Sequence, residues 1–142
     1  MTSATPSAPL VTVFTATFNR GDKIHRVFES LMAQTLPHCL FEWIVVDDGS
    51  EDDTRRVIEG FEEKADFPVF YHYQNHRGKH TAYNRAVSLA RGDLFLTCDS
   101  ADAFEPNGIE FLCTQWDRLS PAERMKYSGI NARCRYQTGV IV

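Results

Sequence analysis

The sequence predicts an α/β domain, a mainly parallel sheet covered by helices on both faces. Two observations carry this. Four short runs rich in β-branched and aromatic residues alternate with segments of helical periodicity. Each run also stops at a polar cluster, as strands of a parallel sheet do where they turn into the next helix.

The first nine residues, MTSATPSAP, are small and polar, and are expected to form a disordered leader to a domain spanning 10–142. Leu10 to Thr17 (LVTVFTAT) then reads as a buried strand between Pro9 and the polar FNRGD. From Asp22 onward Ile24, Val27, Phe28, Leu31 and Met32 recur at helical spacing, and Pro37 closes the segment. Phe41 to Val46 (FEWIVV) is the second strand, cut off by Asp47-Asp48-Gly49-Ser50. Asp52 or Asp53 then caps a helix carrying Val57, Ile58 and Phe61.

Val69 to Tyr73 is the third strand, ended by Asn75, Arg77 and Gly78. Thr81 to Ala90 reads as a helix with Ala82, Ala86, Val87 and Leu89 inward and Gly92 just past its end. Asp93 to Cys98 is the fourth strand, broken by Asp99-Ser100-Ala101-Asp102, and Pro106 opens a helix through Ile109, Leu112, Cys113 and Trp116. The tail SGINARCRYQTGVIV suggests a strand, a turn at Thr138-Gly139 and the start of another strand. Because Val140, Ile141 and Val142 begin a strand in mid-pattern, the domain is expected to be truncated at its C-terminus, with an exposed sheet edge open to self-association.

Composition narrows the function classes. The 142 residues are 43% hydrophobic and 24% charged, ordinary for a folded domain. A net charge of -4 without a Lys/Arg stripe argues against nucleic acid as partner. Cys39, Cys98, Cys113 and Cys134 form no CxxC pair and are expected as reduced thiols of a cytoplasmic protein. No apolar run approaches the ~20 residues that span a bilayer, so any membrane association would come from sequence not present here.

Four polar clusters follow the four strands: Thr17 to Arg20, Asp47 to Ser50, Asn75 to Lys79 and Asp99 to Asp102. In an open parallel sheet the strand ends share one rim, the ligand-binding rim of such folds. Any one cluster is explained by turn and cap chemistry; four together are not readily so explained. In the second cluster one aspartate can cap the next helix while the other accepts from a ribose hydroxyl or a base N–H. In the fourth, Asp99 and Asp102 can share a hard divalent cation, or Asp102 can merely cap the segment before Pro106. Gly78-Lys79 is not a P-loop, since Tyr73 stands where the earlier glycine belongs and His80 follows the lysine; Lys79 remains a point charge suited to phosphate. His72, His76 and His80 are four apart, but Gly78 and the strand-like FYHY argue against one helix bearing all three.

The ordered set TFNR, SLMAQT, EWIVVDDGSEDDT, N-x-x-GKHTAYNRA and ARGDLFLTCDSAD…P resembles the family 2 glycosyltransferases from Val11 to Pro106. The resemblance implies a GT-A (Rossmann-like) fold, a nucleotide-diphosphate-sugar donor (a UDP-sugar), an acceptor that is a glycan, lipid or protein, and transfer with inversion. It sets Thr17 and Asn19 beside the base, gives Asp48 the uracil or ribose, and counts Arg20 and Asp47 among the nucleotide-sugar-binding residues. Lys79 and Asn84 would line the diphosphate-sugar pocket. Asp99 opens the counterpart of the D-x-D motif, whose last carboxylate ligates Mg²⁺ or Mn²⁺.

Two departures stand against that pattern. The usual run is D-x-D-D; here it is Asp99-Ser100-Ala101-Asp102, and the metal ligand falls on Ala101, which has no lone pair to offer. Asp102 reaching the ion instead, weakened metal binding and lost activity are all open at this point. The family's acceptor half, which supplies the general base, is also absent, so no catalytic base is assigned. Two rivals follow: a non-catalytic nucleotide-sugar-binding module of the same fold, and a phosphoacceptor receiver domain. The second expects its acidic pair after the first strand, where TFNR stands instead.

Overall fold

The computed structural model describes residues 9–135. Four strands, β1 (Val11–Thr17), β2 (Phe41–Asp47), β3 (Val69–Tyr73) and β4 (Leu94–Thr97), form one sheet in the order β3-β2-β1-β4. Every pairing is parallel, with Val11 opposite Phe41 on one side and Leu94 on the other. The helices between them are α1 (His25–Met32), α2 (Thr54–Glu62) and α3 (Lys79–Leu89), followed by α4 (Gly108–Asp117) and α5 (Pro121–Arg124). The sheet is therefore parallel and flanked by helices, as expected. The leader (residues 1–8) and the turn at Thr138-Gly139 with Val140 to Val142 lie outside the described residues.

The period of two along each strand sorts the side chains onto two faces. Val11, Val13, Trp43 and Val45 pack with Ile24, Val27 and Leu31 of α1, Ile58 of α2 and Ile109 of α4. On the opposite face Phe14, Ile44 and Val46 meet Ala82 and Ala86 of α3. All seven residues of β2 are buried, as befits a strand covered on both faces, and two of them, Glu42 and Asp47, are acidic. Trp43 is fully enclosed, stacks near Phe28 at 6.4 Å between ring centroids, and donates its indole N–H to Thr15 Oγ1 at 3.0 Å. The polar residues inside this core are matched as well. Glu42, fully buried, accepts from Thr12 Oγ1 (2.7 Å), the Arg91 backbone N–H (2.9 Å) and Arg91 Nε (2.7 Å).

Several local expectations are corrected. Val87 and Leu89 are 49% and 38% exposed, not inward. Val87 lies about 140° around the helix from Ala82 and about 100° from Ala86, off the buried stripe. Gly92 does lie just past α3, two residues beyond its C-cap Ala90, but its reason is packing: a Cβ there would lie 2.5 Å from Thr12 N, so glycine is required where the chain enters the sheet against β1. Pro106 precedes α4 by two residues, its carbonyl accepting from Thr35 N at 2.8 Å. Ser128 to Cys134 form no strand. The short helix α5, not anticipated, follows from the capping box Ser120-Pro-Ala-Glu123.

Candidate nucleotide-sugar site

The chain builds β1, β2 and β3 outward in one direction and then returns to lay β4 on the other side of β1. The strand order reverses between β1 and β4, and a crevice opens there past their C-terminal ends. It has a volume of about 300 Å³, and Arg20, Lys79, Asp99, Ala101 and Asp102 line it. Residues from three of the four polar clusters thus meet in one place.

The second cluster supports the others from beneath. Asp47 is 1% exposed; its carboxylate accepts from Ser50 N (2.8 Å) and from the Tyr71 hydroxyl (2.7 Å). That acceptance, after burial itself, holds the Tyr71 phenol well above its ordinary pKa. Asp48 reaches across to the loop after β3, accepting from Gln74 Nε2 (2.7 Å) and from the backbone N–H groups of Arg77 (2.9 Å) and Gly78 (2.8 Å). His76 Nδ1 stands 2.9 Å from its other oxygen face. Burial pushes the Asp48 pKa up, but Gln74, the two N–H groups and His76 together outweigh it and hold the carboxyl below its ordinary value. Gly49 has φ +93, and a Cβ there would meet His76 N at 3.0 Å, so this tight junction of two loops requires glycine.

The first cluster is strapped to the second. Asn19, at φ 50, donates its N–H to Ser50 Oγ (2.8 Å) and accepts from Glu51 N through Oδ1 (2.8 Å). Arg20 N donates to Thr54 Oγ1 (3.2 Å) and Gly21 N to Asp52 Oδ2 (3.1 Å). Asp52, rather than Asp53, therefore accepts at the start of α2, taking Thr54 N at 3.0 Å. Thr17 is 3% exposed and its hydroxyl is the buried side-chain polar atom left without a partner among the described residues. Orphaned polar atoms at a rim are expected where a ligand completes the bonding.

The third and fourth clusters meet through Lys79, the first residue of α3, whose Nζ lies 2.5 Å from Asp99 Oδ1. Lys79 and Asn84 do not share a hollow. Asn84 lines a separate cleft of about 600 Å³ with Gln74, Asn75, Arg77, Thr81 and Arg85. Cys98, immediately before Asp99, is buried; burial first, then the nearby acidic groups and Cys134, pushes its thiol up to about 12, leaving it unreactive.

A divalent ion fits this donor set poorly. Asp99 already holds the Lys79 ammonium and Ala101 brings a methyl group, which leaves Asp102 as the one uncommitted carboxylate among the residues lining the crevice. His72, His76 and His80 sit on a strand, a loop and a helix respectively, so no single helix carries all three.

Gln34 and Gln74 are supporting residues that sequence reasoning missed; Phe18 and His76 lay inside named clusters, but their contact with each other was not foreseen. Phe18 is 43% exposed beside the crevice, its ring 4.4 Å from that of His76. The Q of SLMAQT was visible as a motif letter, but its partners are far away in sequence.

Comparison with known proteins places this geometry. The profile of Glycosyl transferase family 2 matches residues 12–138. Chondroitin synthase of Escherichia coli is 38% identical over 106 residues, 74% of this chain and 15% of that protein. The putative teichuronic acid biosynthesis glycosyltransferase TuaG of Bacillus subtilis is 31% identical over 102 residues, covering 72% of this chain and 40% of that one. Among solved structures, S. aureus TarS in complex with UDP superposes with a TM-score of 0.70 at 27% identity, over 75% of this chain and 32% of that one. The mannosyltransferase PcManGT from Pyrobaculum calidifontis, in complex with GDP-Man and Mn2+, superposes with a TM-score of 0.72 at 25% identity, over 82% and 34%. The chain thus spans 15% to 40% of the length of these relatives and has the GT-A fold over that span. On the profile match and the shared fold, the chain belongs to glycosyl transferase family 2.

Proposed function

We propose that this domain, residues 10–142, binds a nucleotide-diphosphate-sugar, a UDP-sugar, and serves its transfer to an acceptor with inversion. The observation that carries the reading is the crevice at the strand-order reversal, where Arg20, Lys79 and Asp99 converge. Thr17 and Asn19 lie on the base side of it, and the exposed ring of Phe18, backed by His76, offers the base an apolar face. Asp48 serves the nucleoside both as an acceptor and by fixing the loop after β3, and Asp47 holds Asp48 in register through Ser50 and Tyr71. Asn84, which lines the separate cleft, is given no part in holding the donor.

In the transfer, an acceptor hydroxyl loses its proton to a base outside the described residues and attacks the anomeric carbon. The bond from that carbon to the diphosphate oxygen breaks, and the nucleoside diphosphate leaves. Cations aimed at the developing charge lower this barrier. The acceptor is a glycan, lipid or protein. Among the described residues no helix is long and apolar enough to cross a membrane; a cytoplasmic location belongs to this proposal and rests on the reading of the four cysteines as reduced thiols.

Titration calorimetry with UDP tests the site. The parent chain is expected to bind, and Asp48→Ala, checked for folding by circular dichroism, to lose binding. Unchanged affinity in that folded variant would falsify the assignment. Ala101 favours a second reading, a module that binds the donor without turning it over. Hydrolysis or transfer of a UDP-sugar by the chain alone excludes this second reading.

A further inference from the structure

Resting on the donor reading above, we propose that Lys79 and Arg20 hold the donor's diphosphate directly, so that nucleotide binding needs no divalent cation. The argument starts from charge. Arg20 and Lys79 face Asp99 and Asp102 across one crevice, two cations against two carboxylates. A third carboxylate at position 101 would leave the crevice net negative and repel a diphosphate unless a dication intervened. Alanine at that position removes both the ligand and the need for the ion.

Position and local field point the same way. Lys79 is the first residue of the 11-residue helix α3, so its ammonium adds to the positive partial charge of a helix N-terminus. That field favours phosphate and disfavours a dication. Arg20 has no carboxylate partner among the described residues. Its backbone is nevertheless fixed on both sides, by Asn19 bound to Ser50 and Glu51 and by Gly21 bound to Asp52. A guanidinium carried on an immobilised loop loses less freedom when it meets an anion, and its planar fork suits phosphate oxygens.

The Lys79–Asp99 pair is the device that exchanges. Both side chains are well exposed, 62% and 58%, and such a pair contributes little to stability, so parting it costs little. An incoming diphosphate takes the ammonium from Asp99. The freed carboxylate then accepts from a hydroxyl of the nucleoside. In the absence of nucleotide the same pair keeps the lysine over the crevice instead of in solvent.

The experiment is UDP titration of the 142-residue chain in EDTA and in excess MnCl2, with Lys79→Met and Ala101→Asp beside it. The parent is expected to bind UDP with affinities within about twofold of each other in the two buffers. Lys79→Met should weaken binding in EDTA by about tenfold or more, the scale of one lost charge-assisted bond. Ala101→Asp should weaken binding in EDTA and recover it with Mn²⁺. Parent binding that requires Mn²⁺, or an unchanged affinity in Lys79→Met, overturns this inference while leaving the donor reading intact. No binding of UDP by the parent in either buffer overturns both.

Discussion

Asp48 and Asp52 each draw several N–H or O–H donors onto a single carboxylate, and both are held below the ordinary carboxyl pKa of 3.8. For Asp52, burial acts upward, and the Thr54 hydroxyl, Thr54 N–H and Gly21 N–H act downward and prevail. A carboxyl whose folded pKa is depressed stabilises the fold fully above its unfolded pKa, and that contribution disappears as pH falls through the folded value. The parent should therefore be at full stability from neutral pH to about 5 and weaken progressively below about 3.8. Asp52→Asn should be less stable than the parent at neutral pH, and the gap should close on acidification. Urea unfolding at a series of pH values from 7 to 3 measures this; a gap that stays constant down the series sinks the assignment. Both aspartates were legible as acidic turn residues. Which donors they collect was not, because Gln74 and Gly21 come from other loops.

At the scale of elements, α4 and the acidic loop before it depend on one side chain of another helix's end. Gln34, 7% exposed, donates through Nε2 to Ser30 O (2.9 Å) and to Glu105 O (2.9 Å), and accepts from Ile109 N through Oε1 (3.1 Å). Asn107, the N-cap of α4, makes no side-chain cap bond, so Gln34 takes over that task from a distance. Gln34→Leu fills similar space but leaves the Ile109 N–H unsatisfied. The expected loss is about 1–3 kcal/mol, the cost of the buried Ile109 N–H left without a partner. Hydrogen exchange should speed up in the first turn of α4 while β2 stays protected. Equal exchange in α4 before and after the substitution would show that the loop is held by other means. The strands and α1 to α4 were readable because their apolar spacing is local. The exposure of Val87 was not, since Ala82 and Ala86 make a stripe only two small side chains wide and periodicity alone does not fix its breadth.

Across the whole molecule the two faces of the sheet are covered unequally. Among the described residues α1, α2 and α4 pack on one face and α3 alone on the other. The strand order itself was beyond sequence reasoning: alternation predicts parallel strands, but nothing local says that β4 pairs with β1 rather than β3. The consequence of that order is that β3 is an outer strand, with Phe70 at 36% and Tyr73 at 49% exposure. Close to it in the chain, α3 shows Tyr83 at 42%, Val87 at 49% and Leu89 at 38%. Outer strands with apolar neighbours are templates for pairing. Tyr83 packs toward the other edge, against Phe95 of β4, so the α3 side chains are not continuous with β3; we propose that two copies of this 142-residue chain pair through the outer edge of β3, where Phe70 and Tyr73 are exposed. Light scattering coupled to size-exclusion chromatography should give a mass that rises with loading concentration. Phe70→Lys with Tyr73→Lys should return it to the monomer value without changing the circular dichroism spectrum. A monomer mass for the parent at every concentration ends the proposal, and association that survives both substitutions moves the interface elsewhere.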